Sequence, residues 1–228
     1  NVDTESLFLT DSLVSTQPFS AGNEYRQCRF SRDNRWVACS YSRFLGANQG
    51  HGGFIQLLDL QTRTVTELSD VSELAEAFDF TANSQQLFAE GRELGSVNIW
   101  DVASGVLLST RQYDVREPFY LHFSPDGNTF VFGHNPTQII DAHTLESLDT
   151  LSHTSDSDGY ANMFTYNPNS SQIAINGYGP YIESHTQLRS VTPSAEPAIV
   201  LNWAPRDLAF NRDGTILAGI GDDNSLHL

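Results

Sequence analysis

Few side chains in this sequence have the types and spacing that catalysis or metal binding requires. It lacks the Gly-x-Ser-x-Gly turn of serine hydrolases, the His-Glu-x-x-His zinc helix and a glycine-rich phosphate loop. The seven histidines have no ligand spacing, and His122 and His227, which fall on predicted strands, are expected to be structural. We therefore expect a non-enzymatic chain with no cofactor and no bound metal.

A partial calcium-loop pattern occurs at 156–159, where the sequence reads Asp-Ser-Asp-Gly. The distal bidentate glutamate that completes such a loop is missing at the required spacing. We therefore interpret this segment as a solvated turn between strands.

The most distinctive segment for binding is 43–53, which carries Arg43, Phe44 and His51 among small and flexible residues. Positive charge is scarce in this chain, since 28 acidic residues outnumber 12 basic ones and none of the basic residues is lysine. Arginine and aromatic side chains are frequent anchors of protein recognition. We expect a long loop here that contacts a partner; the alternative is that its aromatic residues cap the core.

A short turn motif recurs along the whole chain and must position these residues. Its clearest copy is Phe-Ser-Pro-Asp-Gly at 123–127, and related copies begin at positions 30, 80, 166 and 210. The copies are therefore 43 to 50 residues apart. A fixed period of this length is typical of solenoids, propellers and other repeat arrays.

Each copy of the motif has the composition of a β-hairpin turn. An aromatic residue ends one apolar run, Asp or Asn occupies the turn, Gly or Asn follows where positive φ is needed, and a second apolar run begins. This pattern predicts a three-residue loop with a bulge. Ser84 and Ser170 fit the positive-φ position poorly, so those two turns are expected to be built differently.

The predicted loop also sets the expectation for the two cysteines. With three residues in the first turn, Ser31 pairs with Arg35 and Cys28 lies opposite Ala38. Cys39 then points to the other face of the sheet. We therefore predict two free and largely buried thiols.

Between the turns, short apolar runs predict units of four strands. The predicted boundaries are a partial unit at 1–22, full units at 23–70, 71–114, 115–153 and 154–192, and a partial unit at 193–228. In the fourth full unit, the third strand is predicted at 181–184 and the last near 188–191. A proline-containing link is predicted at 193–205.

The third strand of these units carries a family resemblance. Asn98-Ile99-Trp100-Asp101 resembles the end of a WD-repeat blade, and Asp59 and Asp141 occupy the same place without the tryptophan. The stretch 30–60 also resembles blades of Tol-type periplasmic propellers and of prolyl-oligopeptidase-like peptidases. The resemblance implies an all-β fold, a β-propeller of four-stranded antiparallel blades with about five repeat units, which we expect to be a segment of a larger propeller.

The resemblance also gives the expected binding surface. In such propellers, the loops after the second and fourth strands of each blade share one face. Segment 43–53 is then expected to gather there with five further residues: Arg116, His134, Tyr160, Tyr178 and Trp203. We expect a scaffold that binds a protein or peptide on this face; the alternative is an accessory propeller of a larger hydrolase, of the prolyl-oligopeptidase or lactonase kind.

The charge balance limits the class of partner. A net charge of −16 repels nucleic acid and anionic lipid surfaces and favours basic proteins. No apolar run approaches the ~18 residues typical of a membrane helix. The chain begins at Asn1 without an initiator Met or a signal-like segment, so we expect that a leader or a longer parent was removed or never included. The sequence favours a soluble protein, in the cytoplasm rather than the periplasm or outside the cell.

Overall fold

The computed structural model describes most of the chain as strands and turns. The described residues are 23–47, 50–73, 77–115, 120–133, 136–151, 160–179, 182–192, 199–201, 205–221 and 225–228. Within these ranges there are no helices, which confirms the all-β prediction. The predicted partial unit at 1–22 and the partial calcium pattern at 156–159 lie outside the described residues.

The strands form five antiparallel sheets, each made of strands that are consecutive in the chain. Sheet 1 contains β1 (Asn23–Phe30), β2 (Trp36–Gly46), β3 (Gly50–Asp59) and β4 (Thr64–Val71). Sheet 2 contains β5 (Phe78–Phe80), β6 (Gln86–Glu90), β7 (Ser96–Asp101) and β8 (Leu107–Gln112). Sheet 3 contains β9 (Leu121–Phe123), β10 (Thr129–Gly133), β11 (Thr137–Asp141) and β12 (Ser147–Leu151). Sheet 4 contains β13 (Tyr160–Tyr166), β14 (Gln172–Gly179), β15 (Ile182–Ser190) and β16 (Ile199–Leu201). Sheet 5 contains β17 (Pro205–Phe210), β18 (Leu217–Gly221) and β19 (Leu226–His227).

Sheet 4 corrects one strand assignment. The residues predicted as its third and last strands belong to one long strand, β15, which pairs with β14 from Gln172 to Gly179. The last strand is β16, inside the segment predicted as a proline-containing link. At 8 and 9 residues, β14 and β15 are longer than the most common strand length of about 5–6 residues, and the repeat period alone gave no sign of this.

Adjacent sheets pack face to face through three buried clusters. The first lies between sheets 1 and 2 and includes Ile55, Leu57, Leu87 and Trp100. The second lies between sheets 2 and 3, and the third between sheets 3 and 4. Neighbouring residues of one strand serve different clusters, since Leu87 belongs to the first and Phe88 to the second. Sheets 2 and 3 are therefore buried on both faces by their neighbours.

All five repeat turns close in the same way, through the residue after the aromatic. In the first turn, Ser31 N–H donates to the Trp36 carbonyl (2.9 Å) and Trp36 N–H donates to Ser31 Oγ (2.9 Å). In the other four turns the side-chain oxygen of the equivalent residue accepts the same backbone N–H bond; these residues are Thr81, Ser124, Asn167 and Asn211. The loop has four residues, so the predicted three-residue loop is wrong.

The unusual serines at positive φ have a role between sheets. Ser84 and Ser170 adopt φ values of 60° and 61°, the same conformation as Gly127 and Gly214 in the related turns, so these turns are not built differently. Ser84 Oγ accepts a hydrogen bond from Asp33 N–H of sheet 1 (3.1 Å). Ser170 Oγ accepts one from Asp126 N–H of sheet 3 (2.9 Å). The hydroxyl joins neighbouring turns and offsets the backbone cost of this conformation.

The four-residue loop also reverses the prediction for the cysteines. Because Ser31 pairs with Trp36 and not with Arg35, Cys28 lies directly opposite Cys39. In an antiparallel ladder, hydrogen-bonded and non-hydrogen-bonded pairs alternate. Counting from the hydrogen-bonded pair Ser31–Trp36, the pair Cys28–Cys39 is non-hydrogen-bonded, and in such pairs the facing side chains are closest. The two sulfurs form a disulfide, and neither residue is buried. The prediction of free, largely buried thiols is wrong.

An aspartate ends the third strand of each of the first three sheets and caps the following turn. Asp59 accepts hydrogen bonds from Gln61 N–H (2.8 Å) and Thr62 N–H (3.3 Å). Asp101 and Asp141 accept equivalent backbone bonds. Arg35 also contacts Asp59 at 2.7 Å and, with these amides, lowers the pKa of Asp59 to about 2. These hydrogen bonds explain why an aspartate ends the third strand in each of these repeats.

Replacing Ser84 by Ala should lower the free energy of unfolding by about 1 kcal/mol, because Asp33 N–H loses its acceptor in sheet 2. Ser84→Gly should cost less, since glycine adopts positive φ without strain. Urea denaturation measures both, with Ser147→Ala, at an exposed position, as the control. Equal stability of Ser84→Ala and the control would contradict the assigned role.

Reduction of the native protein should raise its mass by that of two hydrogen atoms, and alkylation after reduction should then add two alkyl groups, both measured by intact mass spectrometry. The bridge closes a loop across a sequence separation of 11 residues. Replacing both cysteines by serine should therefore destabilise the protein by about 3 kcal/mol under oxidising conditions. Under reducing conditions the two proteins should differ far less. Two thiols that alkylate without prior reduction would contradict the bridge.

The stabilisation from Asp59 should depend on acid pH. Its pKa in the folded protein, about 2, lies below the usual value near 4, so its contribution is complete above about pH 4 and is lost as the pH falls towards 2. Asp59→Asn removes the charge and should flatten this part of the stability profile. Asp114→Asn, an exposed carboxylate, is the control. A wild-type profile parallel to that of Asp59→Asn between pH 4 and 2 would refute the assignment.

Candidate recognition site at the edge of sheets 1 and 2

The segment predicted as a long loop is mostly paired strand. β2 continues to Gly46 and β3 begins at Gly50, with Arg43 opposite Gly52 and Phe44 opposite His51. The hairpin of β2 and β3 therefore extends beyond the ends of β1 and β4. This places the three predicted residues on a rigid ribbon, and their spacing is fixed by backbone hydrogen bonds.

Arg43 is held within sheet 1. Its guanidinium lies 4.2 Å above the ring of Phe54 and 3.3 Å from the carboxylate of Glu67. Tyr41, on the same face, stacks on Phe54 and donates a hydrogen bond to Glu67. Arg43 therefore supports the hairpin by a cation–π contact and an ion pair, and is the least available of the three for a partner.

Phe44 and His51 form an exposed aromatic pair near the tip. Their ring centroids are 5.3 Å apart, and 56% of the Phe44 surface is accessible to solvent. Because side chains alternate along a strand, this pair lies on the opposite face from Arg43, the same face as buried Ala38 and Ile55. The pair therefore projects past the rim of the core between sheets 1 and 2.

A crevice of about 480 Å³ lies beside this pair, between the hairpin and sheet 2. Its walls come from the hairpin tip, from the end of β4 and from the turn after β6. Four ionisable side chains line it: His51, Asp70, Glu73 and Arg92. A Cβ at Gly53 would lie 1.7 Å from the carbonyl oxygen of Ser72, so this wall requires glycine.

Asp70 fixes the geometry of the crevice. It adopts φ of 65°, and its carbonyl oxygen accepts hydrogen bonds from Arg92 N–H (3.0 Å) and the side-chain amide of Asn98 (2.8 Å). Ser72 N–H donates to the carbonyl of Glu90 (3.0 Å). The end of sheet 1 is thus bound to sheet 2 by three hydrogen bonds, which leaves the Asp70 carboxylate exposed at the crevice.

Of the other five predicted residues, the two that the structure describes lie on sheet 4 and not at this site. Tyr160 and Tyr178 lie opposite each other at the corresponding end of sheet 4, where β13 begins and β14 ends. Arg116, His134 and Trp203 lie outside the described residues. The structure therefore brings together Phe44 and His51, with Arg43 behind them.

Sequence reasoning missed Asp70, Glu73 and Arg92. Asp70 belongs to the first full unit, whereas Glu73 and Arg92 belong to the second, and the packing of sheet 1 on sheet 2 brings them together. One signal was available: Asp70 is of a residue type that tolerates positive φ. No signal in the sequence paired it with Arg92.

The site combines charged groups with an exposed aromatic pair. Two carboxylates, a guanidinium and an imidazole surround an open crevice, next to an exposed aromatic pair. Among the described residues, no group of three or more His, Cys, Asp or Glu side chains is arranged to hold a metal ion. The arrangement can accept hydrogen bonds from a cationic group while an apolar group packs on Phe44.

Comparison with known proteins identifies the fold. No family model and no curated protein matches this chain. Among solved structures, hydrazine synthase from Kuenenia stuttgartiensis superposes with a TM-score of 0.65 at 12% sequence identity. The match covers 88% of this chain and 62% of that chain, so this chain spans about six tenths of the length of its structural neighbour.

The match and the sheets agree on the architecture. Five antiparallel sheets stacked in chain order have a propeller-like arrangement, which confirms the fold class expected from the repeats. At 12% identity the likeness extends to the fold alone. In the described part of the chain, no helix is long and apolar enough to cross a membrane.

Proposed function

We propose that this chain is a protein- or peptide-binding scaffold that acts through the Phe44–His51 pair and the adjacent crevice. The observation that carries the proposal is an exposed aromatic pair held beside a crevice whose walls are fixed by backbone hydrogen bonds between two sheets. A site that is already ordered loses little conformational entropy when it binds a partner. The proposal contains no catalytic step.

The charges favour a basic segment as the partner. Asp70 and Glu73 present exposed carboxylates at the crevice, and the whole chain carries a net charge of −16. Such a field accelerates association with cationic partners and repels anionic ones. The partner we propose presents an arginine or lysine to the crevice and an apolar side chain to Phe44.

The WD-repeat identity belongs to the same proposal. Asp59, Asp101 and Asp141 cap equivalent turns in three successive sheets, and Trp100 is buried in the core before the second of them. These features support a degenerate WD-like repeat. They also support the view that the sheets serve as a scaffold and that the hairpins and turns at their ends do the binding.

The disulfide bears on the compartment. Structural disulfides persist in oxidising environments and are rare in the cytosol. The Cys28–Cys39 bridge therefore favours a compartment outside the cytoplasm, in contrast to the preference drawn from the sequence.

A second candidate is an accessory domain of a larger enzyme. The structural match supports it, because the matched protein is named as a synthase and this chain spans only part of it. A catalytic domain encoded next to this segment in the parent gene would favour this candidate. Further propeller repeats there would favour the scaffold.

Selection from a random peptide library should enrich sequences with a basic residue next to an apolar one. Phe44→Ala and Asp70→Asn should each weaken binding of a selected peptide about tenfold or more, measured by fluorescence anisotropy. Asparagine tolerates positive φ, so Asp70→Asn preserves the backbone bonds to sheet 2. Leu107→Ala, at an exposed position on β8, is the matched control. Peptides that are acidic, or that bind all three variants alike, would overturn the proposal.

A further inference from the structure

The first strands of three sheets bring a guanidinium, a carboxylate and an imidazole together, away from the crevice. These are Arg29 of β1, Asp79 of β5 and His122 of β9, and we call them the first-strand cluster. Arg29 Nη1 lies 2.9 Å from His122 Nδ1, and Nη2 lies 3.0 Å from Nε2. Asp79 Oδ2 lies 3.9 Å from His122 Nδ1. Arg32, one turn further on, donates to the Ser124 carbonyl (2.8 Å), so sheet 1 reaches sheet 3 at two points.

The contact between Arg29 and His122 leaves hydrogen-bond donors unpaired. Burial, with the nearby charge of Arg29, lowers the pKa of His122 to about 3, so the ring is neutral at physiological pH. A neutral imidazole has one acceptor nitrogen and one N–H group. Only one of the two short contacts can therefore be a hydrogen bond, and in the other two donors face each other.

Asp79 compensates the charge of Arg29 only in part. Its two carboxylate oxygens accept hydrogen bonds from the backbone N–H groups of Phe80 (2.9 Å) and Phe123 (3.0 Å). Burial raises the pKa of Asp79, since these bonds only partly replace its lost hydration. Among the described residues, no carboxylate lies within 4.0 Å of the Arg29 guanidinium, and Arg29 Nε is buried without a partner.

The partly buried guanidinium of Arg29 therefore needs a further hydrogen-bond acceptor. Burial lowers the pKa of Arg29, and the charge of Asp79 offsets this only in part. A cation that is partly removed from water is costly unless it is paired and hydrogen-bonded. Apolar rings bound the cluster, with Phe78 5.8 Å from the guanidinium and Phe164 5.3 Å from the imidazole ring.

We propose that the first-strand cluster is a binding site for an oxyanion group, a carboxylate or a phosphate. The anion accepts hydrogen bonds from the free N–H groups of Arg29, whose planar fork matches two oxygens, and from the N–H of His122. It separates the two opposed donors and supplies the missing negative charge. This site is separate from the crevice and independent of the function proposed for it.

The test is an NMR titration of the intact protein with sodium acetate, with inorganic phosphate and, as the control, with sodium chloride, all at constant ionic strength. The His122 ring nitrogens and Arg29 Nε–H should shift saturably with at least one oxyanion, with a dissociation constant on the order of 1 mM. Saturation by acetate alone identifies a carboxylate site, and saturation by phosphate alone identifies a phosphate site. A response no greater than that to chloride overturns the proposal.

Variants separate this site from general anion attraction. Arg29→Gln should weaken binding at least about tenfold, while Arg111→Gln, an exposed arginine on β8, should leave it unchanged. Arg29→Lys keeps the charge and should retain weaker binding, since lysine lacks the planar fork. If Arg29→Gln does not fold, the wild-type titration decides alone, because its signals report on the two residues directly. Equal loss in Arg29→Gln and Arg111→Gln also contradicts the proposal.

Discussion

The face-to-face packing of successive sheets is the constraint on which this structure depends. Strand residues alternate between two faces, so Leu87 is buried against sheet 1 while its neighbour Phe88 is buried against sheet 3. A sheet that is apolar on both faces cannot bury them alone, and stability therefore comes from stacking successive repeats. This packing also confines differences between the repeats to the ends of the strands, where long hairpins and turns project from the sheets.

Hydrogen bonds between neighbouring sheets fix the positions of the sheets relative to one another. Ser84 and Ser170 join adjacent turns at one end of the sheets, and the carbonyl of Asp70 joins sheets 1 and 2 beside the crevice. The hydrogen bonds that join Asp70 to sheet 2 therefore also determine the shape of the candidate recognition site. A rigid crevice next to the exposed Phe44 follows directly from them.

The repeat period and the turn composition were sufficient to predict the all-β, propeller-like fold. They failed where a single residue of register mattered: the hydroxyl of Ser31 closes a four-residue loop, and that one extra residue places Cys28 opposite Cys39. The extended hairpin was predicted as a loop because its glycines and small side chains hide its pairing. Asp70 with Arg92, and Arg29 with His122, were beyond sequence reasoning because each pair joins different repeats. Such contacts depend on how the sheets stack on one another, and the residue pattern within a single repeat does not predict that stacking.

A double-mutant cycle tests the stacking most directly, because it asks which residues share a buried interface. Leu87 and Ile55 belong to the cluster between sheets 1 and 2, whereas Ile140 belongs to the cluster between sheets 2 and 3. Urea unfolding of Leu87→Ala combined with Ile55→Val should give a coupling energy of about 0.5 kcal/mol or more. The combination with Ile140→Val should be additive within about that amount. Coupling of Leu87 to Ile140 and not to Ile55 would contradict the account.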